Sequence, residues 1–162
     1  MDEILFWSLI ESSWQTVGGQ VQSRQKLVQG RLSEEGAEAL LESLAEVIRA
    51  LTERLQRLSA WELLTFDRIL ERKLYEIDRS QVQEHTGGSD DGYLYARGFV
   101  VAAGKSYYDA VNADPSIALP NLESEDMCFL AWNIYEAKFG EIPSSEISRE
   151  SGSNRAGRPD SA

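Results

Sequence analysis

The stretch that decides the fold is residues 33–58, SEEGAEALLESLAEVIRALTERLQRL. Ser33 followed by Glu34-Glu35 supplies an N-cap hydroxyl and first-turn negative charge, which start a helix. From there Ala37, Leu41, Leu44, Ile48, Leu51, Leu55 and Leu58 step by four and three, so one face of a long helix is apolar. The same rhythm suits a two-stranded coiled coil, and therefore a homodimer. Leu40 and Val47 fall where a zipper carries charges, and they widen the stripe beyond a narrow seam. A helix buried in a bundle is the expectation, with a monomer favoured over a homodimer.

The neighbours of this helix read the same way. Ser59-Ala60-Trp61-Glu62 has the spacing of a capping box, with Leu58 and Leu63 placed as its hydrophobic staple. The helix it opens carries Leu63, Phe66, Leu70, Leu74 and Ile77 inward. Toward the N-terminus, Phe6, Ile10 and Trp14 share one face of an opening helix that Gly18-Gly19 should end. The polar segment from Gln20 to Gly30 forms a weaker helix. Downstream, GGSDDG (87–92) interrupts the pattern, and a helix from about Asp90 buries Tyr93, Ala96, Val100 and Ala103 and ends near Gly104. Asn112-Ala113-Asp114-Pro115 reads as a turn. A last helix places Met127, Leu130, Ala131, Ile134 and Tyr135 on one face and stops at Gly140. No segment alternates at period two. The expected fold is all-α: a compact, bundle-like single domain of about five to seven helices over residues 1–143, followed by a disordered polar tail at 144–162, which is rich in serine and glycine. The four tryptophans belong to apolar faces, and Trp7 and Trp61, which flank theirs, are the pair expected nearest the surface.

Composition narrows the function. The 162 residues hold 27 acids against 16 bases, a net charge of −11. Residues 81–140 alone carry nine acids and three bases. Such a surface repels phosphate backbones and anionic lipid, so neither nucleic acid nor membrane is an expected partner, whereas a basic protein partner fits. A single cysteine, Cys128, forbids an intrachain disulfide and agrees with a reducing cytoplasm. The opening MDEILFWSLI lacks the basic flank and cleavage site of a signal peptide, and no apolar run approaches membrane-spanning length. A cytoplasmic location is expected.

Most catalytic templates fail by inventory. A structural zinc site needs four Cys or His ligands, and the chain offers His85 and Cys128. A thiol or serine triad would have to use His85 as its base, and Cys128 lies inside an apolar stripe as a buried, inert thiol. GGSDDG has neither the lysine of a phosphate-binding loop nor the alternating acids of a calcium loop. What remains is a dense stretch of His85, Ser89, Asp90, Asp91, Tyr93, Tyr95 and Arg97. Ser89 suits an N-cap, and Asp90 and Asp91 suit the first turn, at least one of them bonding to backbone amides there. Arg97 lies seven residues after Asp90, beyond the usual helical pair, and should pair elsewhere. Two consecutive acids between glycines nevertheless exceed what capping needs. They suit an arginine from a partner, or a divalent cation such as Mg²⁺ with a distant third ligand such as Glu136.

At these residues the sequence resembles the bacterial domain-of-unknown-function 4240 family. The likeness starts at Phe6-Trp7, is strongest at Ser89-Asp90-Asp91-Gly92-Tyr93, and continues through Arg97, Gly104-Lys105, Tyr108 and Asp114-Pro115. It ends with Ala131, Tyr135-Glu136, Gly140 and Pro143. Where the family tends to an aromatic before the arginine and a tryptophan soon after, this chain has Ala96 and Phe99, and the small or cysteine residue before the serine is Gly88. The resemblance implies an α-helical domain and no particular activity. It adds Lys105 and Tyr108 to the candidate binding residues His85, Ser89, Asp90, Asp91, Tyr93 and Arg97. The sequence therefore points to a small acidic protein-binding or regulatory module without a cofactor. The alternative is an enzyme or metal-dependent activity centred on Ser89-Asp90-Asp91-Gly92, with Mg²⁺ on Asp90 and Asp91. No catalytic residue is assigned.

Overall fold

The computed structural model describes residues 1–158, and every described element is helical. There are eight α-helices among these residues: α1 (Glu3–Thr16), α2 (Val21–Val28), α3 (Glu34–Leu55), α4 (Ala60–Glu76), α5 (Ser80–Thr86), α6 (Asp90–Ala102), α7 (Lys105–Ala113) and α8 (Glu125–Phe139). Two 3₁₀ turns, Pro115–Ile117 and Arg155–Gly157, follow α7 and α8. The count exceeds the expected five to seven because α5 and α7 are short and begin without a side-chain cap, so neither announces itself in the sequence.

The starts that sequence chemistry marks are where it marks them. Asp2 accepts the Leu5 amide at 2.9 Å and opens α1. Ser33 accepts the Gly36 amide and opens α3. Ser59 and Glu62 form a full capping box on α4. The long helix α3 buries Leu40, Leu44, Val47, Ile48, Leu51 and Leu55. Leu40 and Val47, the residues that widen the stripe, are thus more deeply buried than Ala37 and Leu41. The stripe is used inside the chain, against α1 and α8.

Helix α8 is the hub, with α4, α6 and α3 packed around Met127, Cys128, Leu130, Ala131 and Ile134. Helix α6 is enclosed nearly all round from Tyr93 onward, as a helix apolar on every face must be. Its closeness to α8 depends on Gly98. A Cβ there would run into the Ser124 carbonyl oxygen and stand 2.5 Å from Cys128 Sγ. The first helix is tied across the molecule by Trp14, whose indole donates to the Ala102 carbonyl at 2.8 Å.

Two expectations change. Trp7 is buried, packed at a tilt against Tyr108 with ring centroids 5.3 Å apart, whereas Trp61 is 72% exposed. The boundary at 144 moves as well: residues 144–158 lie along the helical body, with Arg149 and Asn154 buried, while residues 159–162 of the expected tail fall outside the described residues. Composition misleads here because the segment is held by polar contacts rather than by apolar burial.

Candidate functional site

The eight residues singled out from the sequence separate into two groups, at the start of α6 and in the core, and three dispersed positions. Ser89, Asp90 and Asp91 start α6 at the surface. Ser89 Oγ accepts the Gly92 amide at 3.3 Å, which satisfies one of the open donors of the helix start. Neither aspartate carboxylate makes a hydrogen bond or ion pair among the described residues, so the expected bond to a first-turn amide is absent. With the serine hydroxyl already on the third amide, side chains at the first two helical positions point outward. The acids have company from another part of the chain. A Cβ on Gly92 would stand 3.3 Å from Glu123 Oε1, and Ser124 donates its amide to the Tyr95 carbonyl at 2.9 Å, bringing the start of α8 against α6. Tyr95 donates its hydroxyl to Glu125 at 3.2 Å. Its phenol is raised by desolvation, then by that bond and by the charges of Glu125 and Asp91. Asp90, Asp91, Glu123, Glu125 and Asp126 are all exposed, and together they form an acidic face across two segments. Beside it runs a groove of about 270 Å³ whose floor is Leu41, Leu44, Ala45 and Ile48 of α3.

Tyr93 and Arg97 point the other way, into the core. Arg97 is fully buried. It caps the C-terminus of α4, donating from Nη1 to the Leu74 carbonyl at 2.8 Å, where a cation is favoured by the helix dipole. From Nη2 it donates to the Arg149 carbonyl and Ser151 Oγ, each at 3.0 Å. Burial lowers its pKa, and the neighbouring Asp78 opposes that. Tyr93 lies 4.8 Å below the guanidinium, accepts the Arg79 amide at 3.0 Å and donates to the Ile77 carbonyl at 2.8 Å. Burial pushes its phenol up to about 12. As expected, Arg97 pairs away from Asp90. Its partners are the end of α4 and the C-terminal segment.

The other candidates are dispersed. Tyr108 donates to Glu76 at 2.8 Å beneath Trp7 and beside Lys73, an internal brace whose burial raises the phenol well above its usual range. Lys105 is exposed and pairs with Asp109 at 2.5 Å within α7. His85 is exposed in the last turn of α5. Cys128 is buried between α6 and α8 with its thiol pushed up to about 12 by desolvation, which makes it a poor nucleophile and leaves His85 without a thiol partner.

Sequence reasoning missed the residues that do most of the polar work inside. Asp67 and Glu71 sit on the buried face of α4, at positions four and eight after Leu63. Asp67 Oδ2 accepts from Arg149 Nη2 at 2.8 Å, and Arg149 Nη1 donates to the Cys128 carbonyl. Burial raises the Asp67 carboxyl, with Arg149 opposing. Asp78, also fully buried, accepts the amides of Gly152 at 3.2 Å and Asn154 at 3.0 Å and the Arg158 guanidinium at 2.8 Å. Burial alone would raise its carboxyl, but the Asn154 amide, the Arg97 charge, Arg158 and the Gly152 amide together hold it below the ordinary range. Acids on the core stripe of a helix were the available signal, since each needs a buried cation.

Among the described residues no three His, Cys, Asp or Glu side chains converge as a metal-binding set. Glu136, the distant ligand considered for Mg²⁺, lies three turns along α8 from Glu125, about 16 Å away at 1.5 Å per residue. No described helix is long and apolar enough to cross a membrane.

Residues 34–137, from the start of α3 almost to the end of α8, match the family described as "Protein of unknown function (DUF4240)". The chain belongs to this family. The matched span contains Ser89–Gly92, Tyr93, Arg97, Asp67 and Asp78, and it leaves α1, α2 and the C-terminal segment outside. No curated protein and no solved structure matches the chain.

Proposed function

We propose that this member of the DUF4240 family is a monomeric protein-binding or regulatory module of the bacterial cytoplasm that docks a basic protein through its acidic face. The observation that carries this reading is the convergence of exposed, unpaired carboxylates, Asp90 and Asp91 from the start of α6 with Glu123 just before α8 and Asp126 in its first turn. Some acids elsewhere in the body are paired, Glu11 with Arg24, Glu76 with Lys73, Asp67 with Arg149 and Asp78 with Arg158. Others, such as Glu34, Glu35 and Glu84, are also exposed, and what distinguishes the face is that its acids come together from two segments. Unpaired like charges repel one another, and a basic partner relieves that repulsion while the field speeds encounter. The shallow groove between the half-buried Leu41 of α3 and Glu123–Asp126 gives a basic side chain a recess beside the charge. The apolar stripe of α3 is consumed within the fold, which supports a monomer.

The test is affinity capture on wild type and on the Asp90→Asn/Asp91→Asn variant, alongside calorimetric titration with Mg²⁺. A captured protein that binds the purified wild type, weakens steeply with salt and loses affinity for the variant supports the reading. Tight stoichiometric Mg²⁺ binding, lost in the variant and unaccompanied by any such partner, would replace it with the metal-dependent alternative.

A further inference from the structure

The C-terminal segment 148–158 is bound to the helical body in the manner of a ligand. Its anchors are polar and directional, and they enter fixed groups of the body. Arg149 reaches the buried Asp67 and the Cys128 carbonyl, and its guanidinium lies 5.3 Å from the Trp132 ring. The segment's backbone then passes over Arg97, which donates to the Arg149 carbonyl. Ser151 donates to the Asp90 carbonyl at 2.6 Å, Asn154 donates from Nδ2 to the Tyr75 carbonyl at 2.9 Å, and Arg158 ends the run on Asp78. The receiving groups belong to α4, α6, α8 and Asp78, just after α4, all inside the span that matches the family, whereas the segment lies outside it.

The fit is incomplete. Asp67 Oδ1 and Arg97 Nε are buried and have no hydrogen-bond partner. A groove of about 460 Å³ stays open beside the segment, between Arg68 and Glu71 on one side and Phe129 and Trp132 on the other. Leaving buried polar atoms unpaired is costly, so an occupant that satisfied them would bind better than the tethered one. Apart from the 3₁₀ turn at Arg155–Gly157, the segment has no regular secondary structure, so its hold depends on the contacts named.

We infer that the cleft bounded by Asp67, Asp78, Leu74, Arg97 and Cys128 is a receptor site for an extended, arginine-bearing peptide, and that residues 148–158 occupy it in cis as a competitor. The recognition chemistry is an arginine seated between the Asp67 carboxylate and the Cys128 carbonyl, a short polar stretch whose backbone faces Arg97 and Asp78, and a second arginine on Asp78. Tethering gives the cis segment a high local concentration, of order millimolar, so an outside peptide must bind more tightly or arrive when the segment is released. The site adjoins the acidic face, since Ser151 bonds to the Asp90 backbone, but its recognition groups, Asp67, Asp78, Arg97 and the Cys128 carbonyl, are not those of that face.

The test begins from folded full-length protein carrying a specific protease site inserted between Pro143 and Ser144, which is cut after folding. A fluorescein-labelled peptide of residues 144–158 is added, and anisotropy is read on cut and uncut protein. The expectation is saturable binding to the cut protein, at least about tenfold weaker binding to the uncut chain, and a loss of about tenfold or more with the Arg149→Ala peptide. Loss of helical circular dichroism on cutting would make the segment part of the fold and overturn the inference, as would equal binding by the Arg149→Ala peptide or none by the native one. Hydrogen exchange on the uncut, unaltered chain gives an independent check. The Gly152 and Asn154 amides, bound to Asp78, should exchange through a local opening faster than α6 amides such as Phe99. Exchange of both only through global unfolding would overturn it.

Discussion

Arg149 and Asp67, 82 positions apart in the chain, meet at 2.8 Å inside the protein, each almost wholly withdrawn from solvent. The pair connects the last segment to the middle of α4 and has Glu71 and Arg68 as outer neighbours, at 3.7 and 3.6 Å. Its value lies in what either partner alone would cost. Arg149→Ala leaves the Asp67 carboxylate buried and uncompensated, so it should destabilise the chain by about 3–5 kcal/mol in urea denaturation. The loss should shrink on acidification. Burial already raises the Asp67 carboxyl, removal of the arginine raises it further, and protonation then removes the buried charge as pH falls through that raised value. The double replacement Asp67→Leu/Arg149→Met should recover much of the loss, because no charge is left behind.

Gly98 to Ala is the smallest change with a large expected effect. The added methyl meets the Ser124 carbonyl oxygen, which belongs to backbone, and Cys128 Sγ, which is locked in the core. Neither is the free end of a flexible side chain, so α6 and α8 must part. A loss of about 1–3 kcal/mol is expected, together with faster exchange of the Ser124 amide, which is bonded to Tyr95 across the same seam.

The helices were legible where a cap and a period agree. Ser33, Ser59 and Ser89 each sit one residue before a helix, and the widened stripe of α3 foretold its burial inside a bundle. Helices α5 and α7 were missed because they lack a side-chain cap and are too short to establish a period. At the candidate site, the motif residues were found but their separation was not. Ser89 through Arg97 look like one cluster in the sequence, yet a helix turns Asp90 and Asp91 to water and Arg97 to the end of α4. Residues 144–158 were read as tail because serine and glycine signal an inability to bury apolar area. That signal does not register two arginines whose acids, Asp67 and Asp78, are waiting elsewhere.

Asp78 should give the protein an acid-sensitive contribution to stability. Its folded-state pKa lies below the ordinary aspartate value of 3.8, so the stabilisation is fully present above that value and is lost as pH falls through the folded pKa. Asp78→Asn keeps an acceptor for backbone amides but gives up the charge-assisted bonds from Arg158. A loss of about 2 kcal/mol near neutrality is expected. The gap between wild type and variant should narrow below about pH 4, where the carboxyl of the unfolded chain takes up its proton first and the folded carboxyl follows at lower pH. Chemical denaturation at a series of pH values checks this, and a gap that stays constant down to pH 2 would show that the charge of Asp78 contributes nothing.

The two kinds of residue in Ser89-Asp90-Asp91 should respond differently to substitution. Ser89 Oγ is the acceptor for the Gly92 amide, and Ser89→Ala should cost about 1 kcal/mol. The aspartate carboxylates make no bond among the described residues, so Asp90→Asn/Asp91→Asn removes only a favourable charge at a helix start. Such charges are worth about 0.3–1 kcal/mol at low salt and less at physiological salt. Relief of repulsion from Glu123 and Glu125 offsets part of that loss. Measured at physiological salt, the double variant should therefore melt close to wild type while Ser89→Ala melts lower by a few degrees, about 2–4 °C per kcal/mol at this chain length. Binding should reverse the order. Ser89→Ala leaves every carboxylate of the acidic face in place and should bind a basic partner almost unchanged. The double variant should lose affinity and lose much of the salt dependence with it. A double variant that is markedly less stable than Ser89→Ala would make the two acids structural, and the acidic face would then have no claim to a partner.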